Sequence, residues 1–152
     1  MKYLLSVYLL STFFGTTAQD LEIRLKHFNV NDGLALQGYD PVSYFTTEPM
    51  EGRKEISYLH KGVKYHFANA RNRDTFVSNP EKYEPAYGGW CAYAMGEKGE
   101  KIRVDPETFK IIQGKVYLFY NFWGNDTLED WNADERRLKS SADRQWKKYV
   151  NP

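Results

Sequence analysis

The chain has 152 residues, with 21 Lys and Arg against 20 Asp and Glu, a single cysteine, and aromatic side chains at 16% of positions. Near-neutral charge, alternating along the chain instead of gathering in basic blocks, excludes nucleic acid and a membrane surface as partners. The lone Cys91 excludes an intramolecular disulfide, so the core must be held by packing in which aromatic rings dominate.

Residues 1–18 have the three parts of a secretory signal: the basic Lys2, an apolar run from Tyr3 to Phe14, and the small residues Gly15, Thr16, Thr17 and Ala18. The apolar run is short of the ~20 residues a membrane-spanning helix needs, so cleavage after Ala18 is expected in place of a retained anchor. No cysteine follows the cleavage region to carry a lipid. Residues 19–152 are therefore expected as one exported domain, periplasmic or secreted, with no membrane anchor. About 130 residues suffice for a core without disulfide staples.

In chain order, Leu21, Ile23 and Leu25 alternate with charged residues, a pattern that fits a strand or one turn of an edge helix. Gly38-Tyr39-Asp40-Pro41 signals a turn, because a residue before proline is pushed out of the helical region and the aspartate can bond the backbone that follows. Glu55 to Phe67 reads as a hairpin about Lys61-Gly62. A two-residue loop sets His60 opposite Val63 and Tyr58 opposite Tyr65, and turns His66 to the other face with Ser57 and Lys64. Asn69 is placed to cap a helix running through Phe76 that stops at Asn79-Pro80.

Tyr83 to Gly89 forms an aromatic, glycine-containing connection into Trp90-Cys91-Ala92-Tyr93-Ala94-Met95. A second hairpin about Gln113-Gly114 sets Phe109 and Ile111 against Leu118 and Val116, and is expected to complete a small antiparallel sheet. Leu128, Trp131, Leu138, Ala142, Trp146 and Tyr149 recur at helical spacing among charges, which predicts one amphipathic C-terminal helix docked on that sheet. The expected fold is α+β.

Leu36-Gln37-Gly38-Tyr39-Asp40-Pro41-Val42-Ser43-Tyr44-Phe45, Gly62 to Phe67, Phe76 to Tyr83, Tyr87 to Ala92 and Gly114 to Leu118 together resemble the YHS domain family, in its exported branch with an aromatic Gly-Gly-x-Cys-Ala segment. The resemblance covers most of the chain from Leu34 to Trp146 and implies an α+β domain. Metal-binding relatives hold their ion through cysteines at positions that align with Ser43, Ala68 and Asn72. All three thiolates are missing here, so the resemblance does not carry that metal site over.

Three chemistries can be drawn from the remaining residues. Tyr39, Asp40, Tyr87, Trp90, Cys91 and Tyr93 lie near glycines and prolines where rings can line a pocket, which points to a small-molecule site. Cys91 and Met95, four residues apart, would offer two soft sulfurs to Cu(I) on one helix face, with His66 as a third ligand; packing of both sulfurs in a core is the simpler account. Cys91 paired with a histidine, beside the Gly88-Gly89 amides, would be a thiol nucleophile, although glycines there also suit a tight turn. Asp40 and Asp105, each before proline, fit turn capping better than an acid-base pair. Asn125-Asp126-Thr127 is a glycosylation sequon. The expected function is an exported binding protein holding a small molecule or metal ion near Cys91, with a thiol enzyme or an interaction domain as alternatives.

Overall fold

The structure is a computed structural model that describes residues 14–46 and 48–151. Most of the apolar run assigned to the signal lies outside the described residues. Its last residue, Phe14, opens the first helix, α1 (Phe14–His27), which runs without a break past the expected cleavage point after Ala18. Among the described residues no helix is long and apolar enough to cross a membrane.

Of the two alternatives for the stretch from Leu21, strand or edge helix, the helix forms, and it is longer than the single turn expected, running to His27. The alternation of Leu21, Ile23 and Leu25 misleads because the residue α1 buries best is a charged one, Arg24, whereas Leu21 and Leu25 stay exposed. Two short strands follow, β1 (Val30–Asn31) and β2 (Leu34–Ala35). The hairpin of β3 (Arg53–His60) and β4 (Val63–Phe67) forms in the expected register, with Tyr58 opposite Tyr65 and His60 opposite Val63. These four strands make one sheet in the order β1-β2-β4-β3, in which β2 pairs with β4 in parallel.

Helix α2 (Ala70–Ser78) starts where expected, the Asn69 side chain accepting the Asn72 N–H. Pro80 then begins the one-turn helix α3 (Pro80–Tyr83). A tight turn over Ala86–Gly89 puts Tyr87, Gly88 and Gly89 in the left-handed region. Glycine is required at Gly88, where a Cβ would sit 2.9 Å from the Trp146 ring and 3.0 Å from the Phe28 backbone. Helix α4 (Ala92–Lys98) follows, with Cys91 as its N-cap residue.

The second hairpin, β5 (Asp105–Ile112) with β6 (Lys115–Phe119), has Phe109 opposite Leu118 and Ile111 opposite Val116, as its alternation predicts. It does not complete the first sheet: it is a separate two-stranded sheet. A third small hairpin, β7 (Asn121–Phe122) and β8 (Asn125–Asp126), leads into the C-terminal helices. These are two helices instead of one, α5 (Thr127–Ala133) and α6 (Glu135–Val150), because Asp134 leaves helical geometry at φ −148°, ψ 45°. The fold is thus α+β, built of small sheets, short helices and a packed C-terminal helix.

Strand β6 explains how these pieces share an interior. Four of its five residues are buried, so both of its faces are covered. Val116 and Leu118 join Val63, Tyr65, Phe67 and Phe76 in one apolar cluster. Tyr117 and Phe119 point the other way, into a second cluster with Met95, Trp131, Leu138 and Ala142. Fully burying side chains of this size stabilises by roughly 1.5–3 kcal/mol each, which accounts for a stable domain without a disulfide.

Candidate functional site

Cys91 sits where the two clusters meet. Its backbone bridges Leu118 of β6, its N–H donates to the Ile102 carbonyl at 2.9 Å, and its carbonyl accepts the Met95 N–H at 3.0 Å. The sulfur is completely buried and lies 3.4 Å from the Tyr120 N–H, which donates to it, and 3.5 Å from Thr127 Oγ1. Thr127 has one hydroxyl proton and gives it to the Tyr120 carbonyl at 2.8 Å. With that proton committed to Tyr120, Thr127 Oγ1 is left as an acceptor facing the sulfur.

Beside this thiol opens a cleft of about 280 Å³. Cys91, Tyr93, Ala94, Ile102, Tyr120 and Thr127 line it, with Glu97, Lys98, Glu100 and Asn125 also on its walls. Residues from α4, the irregular segment before β5, the residue after β6, β8 and the start of α5 converge there. Of the expected ligand-binding residues, Cys91 and Tyr93 meet in this cleft.

The other four are elsewhere. Tyr87 is buried in a different cleft, its hydroxyl donating to Asp143 at 2.8 Å, and burial followed by that bond raises its pKa. Trp90 donates its indole N–H to the His27 carbonyl at 2.7 Å. Tyr39 donates to Glu107 at 3.2 Å on the surface. Asp40 is wholly buried and works as a hub: Oδ1 accepts the Val42 N–H at 2.8 Å, and Oδ2 accepts the Ala68 N–H at 2.9 Å and the Asn72 amide at 2.7 Å.

The Asp40 hub bears on the positions that the resemblance assigns to a metal. Ser43, Ala68 and Asn72, scattered over some thirty residues, gather about it, with Ser43 Oγ donating to the Asp40 carbonyl at 2.7 Å and accepting the Met50 N–H at 2.9 Å. Every group aimed at the carboxylate is a donor. A cation would need those lone pairs, so the residues present do not fit a metal ion.

The soft-metal set fares no better. Met95 is fully buried but belongs to the second cluster, with Tyr117 and Trp131, whereas Cys91 belongs to the first. The reason is local: Cys91 is the cap residue, with ψ 117°, so the i, i+4 geometry of a continuous helix does not apply to it. His66 lies on the face of β4 opposite Val63, Tyr65 and Phe67, against Gly38 and Gly52. Those three residues share the Cys91 cluster, so the strand separates His66 from the sulfur. Among the described residues no three of His, Cys, Asp and Glu gather in a way that could hold an ion.

Nor does a histidine serve Cys91 as a base. The His27 Nδ1 contacts Lys101 Nζ at 2.7 Å. The His60 Nε2 is sealed from solvent 3.6 Å from Glu84 Oε1, too far for a hydrogen bond. Glu84 is itself buried, paired with Arg24 at 2.5 Å and accepting the Tyr65 hydroxyl. Burial lowers the His60 pKa, outweighing the attraction of Glu84.

Sequence reasoning found the thiol and Tyr93 but missed Tyr120, Ile102 and Thr127. The Tyr120 signal was present as the residue that continues the alternation of β6, but nothing in the spacing ties it to Cys91. Compared with known protein families, curated proteins and solved structures, the chain finds no match in any of the three.

Proposed function

We propose that the protein is an exported, non-enzymatic binding protein of the YHS type that holds a small, largely apolar organic molecule in the cleft beside Cys91. The observation that carries this reading is the cleft itself: a concavity walled by Tyr93, Tyr120, Ala94 and Ile102 lies directly over the cysteine, where close packing would otherwise be expected. Its volume is near the lower end of the ~300 Å³ and upward typical of ligand sites, which suits a small ligand. Among the described residues the hydrogen-bond partners of the Cys91 sulfur are Thr127 Oγ1 and the Tyr120 N–H, neither of them a base, which supports binding over nucleophilic chemistry, since a nucleophile needs a partner to take its proton. The gathering of Ser43, Ala68 and Asn72 about Asp40 supports the resemblance, and the donor-rich hub supports a member without the cysteine-held ion.

Native mass spectrometry of the protein purified from its own compartment tests the reading. A non-covalent organic adduct is expected on the wild-type protein and is lost in Ala94→Phe, whose ring extends into the cleft. An adduct-free wild type, an adduct that survives Ala94→Phe, or a copper adduct instead would overturn it.

A further inference from the structure

A second cleft, of about 410 Å³, opens on the other side of β6. Phe28, Tyr87, Tyr117 and Trp146 supply aromatic walls, and four charged side chains line it: Glu81, Glu84, Asp143 and Lys115. Each of the three carboxylates already has its own cation. Glu84 is paired with Arg24 at 2.5 Å, Asp143 with Lys139 at 3.0 Å, and Glu81 with Lys61 at 3.9 Å.

Lys115 is the charge left over. Among the described residues its ammonium makes one hydrogen bond, 2.6 Å to the neutral Glu81 carbonyl, and no ion pair. An ammonium has three N–H donors, so two are unspent. Glu81 and Glu84 attract this half-buried ammonium from within the cleft but neither forms an ion pair with it, so a bound anion could contact it directly. From this charge accounting we infer that the cleft binds a small aromatic or apolar carboxylate, its anionic group paired with Lys115 and its ring lying among Trp146, Tyr117, Tyr87 and Phe28.

The electrostatics agree with the geometry. Burial lowers the Lys115 pKa even though Glu84 and Glu81 pull it up, so the present neighbours do not compensate the ammonium for lost solvent. A carboxylate in the cleft would. The walls favour organic anions over small inorganic ones because aromatic faces reward apolar area, which bare phosphate lacks. Free amines are disfavoured, since the carboxylates that would attract them are already paired. This site is independent of the Cys91 cleft, since the two share no lining residue.

Titration calorimetry at neutral pH, with phenylacetate, benzylamine and inorganic phosphate as probes, tests the inference. Phenylacetate is expected to bind in the millimolar range or tighter, at least tenfold better than either other probe. Lys115→Met weakens it at least tenfold, Lys115→Arg restores it, and Ala94→Phe leaves it unchanged. Should Lys115→Met fail to fold, the wild-type protein still decides: phenylacetate should protect Lys115 from acylation by an N-hydroxysuccinimide ester, read by peptide mass mapping. No saturable phenylacetate binding, equal binding of phosphate or benzylamine, binding unchanged in Lys115→Met, binding lost in Ala94→Phe, or acylation of Lys115 unaffected by the probe would each overturn the inference.

Discussion

Asp40→Asn is the perturbation whose cost follows most directly from the structure. The wild-type carboxylate is fully buried and accepts three bonds, from the Val42 N–H, the Ala68 N–H and the Asn72 amide. An asparagine can keep its oxygen toward Ala68 and Asn72, which share Oδ2, but its NH₂ then faces the Val42 N–H, donor against donor. One buried backbone donor is orphaned and the two remaining bonds lose their charge assistance. At about 1–3 kcal/mol for an orphaned donor, and less for each weakened bond, the loss is about 2–3 kcal/mol. For a domain of this size that lowers the melting temperature by about 8–12 °C. Asp40→Ala, which removes all three acceptor contacts, should cost more, about 4 kcal/mol. Urea unfolding followed by circular dichroism reads both. Asp105→Asn is the control, because that carboxylate also bonds two groups near a proline, Glu107 N–H and Thr108 Oγ1, but at the more exposed start of β5. If Asp40→Asn unfolds within about 0.5 kcal/mol of wild type, a typical surface effect, the hub is not holding the loop to the sheet.

Three further outcomes follow from other parts of the molecule. Gly96→Ala ought to stabilise a helix by ~1 kcal/mol on propensity alone, yet a Cβ there would lie 2.6 Å from the Leu138 carbonyl where α4 meets α6. A net loss of about 1–3 kcal/mol is expected in urea unfolding, and a gain would show that the helices can part freely. Iodoacetamide should leave Cys91 unlabelled in the native protein and label it fully in denaturant, with mass spectrometry as the readout; native labelling at the rate of a free thiol would contradict its burial. Finally, burial holds the His60 pKa below its ordinary 6.5 in the folded state. The unfolded chain then takes up its proton first as the pH falls, so stability is complete above 6.5 and declines below it. Replacing His60 with Gln should flatten this decline in unfolding measured between neutral and mildly acidic pH, and an unchanged slope would assign it to other groups.

The parts of the fold that could be read from sequence are those set by local rules. Period-two alternation with Lys61-Gly62 and Gln113-Gly114 as turns fixed both hairpin registers, and Asn69 marked a helix start because its side chain serves the N–H three residues on. What resisted reading depends on distant partners. The stretch from Leu21 left strand and edge helix both open because the residue α1 buries best is Arg24, and that position makes sense only once Glu84, sixty residues away, is beside it. The break at Asp134 carries no proline or glycine to announce it. At the candidate site, Cys91 and Tyr93 stood out by type, but the fold alone brings Ile102, Tyr120 and Thr127 to them. The supposed Cys91–Met95 pair failed for a local reason that spacing hides: a cap residue and a helical one do not share a face.

If the space beside Cys91 is a ligand site, its occupant should be visible in the native protein. The most direct measurement is a high-resolution crystal structure of the protein purified from its own compartment. Continuous organic density is expected between the Tyr93 and Tyr120 rings, over the sulfur and without an anomalous metal signal. A cleft holding only ordered water, or one closed by inward movement of the two tyrosines, would contradict it.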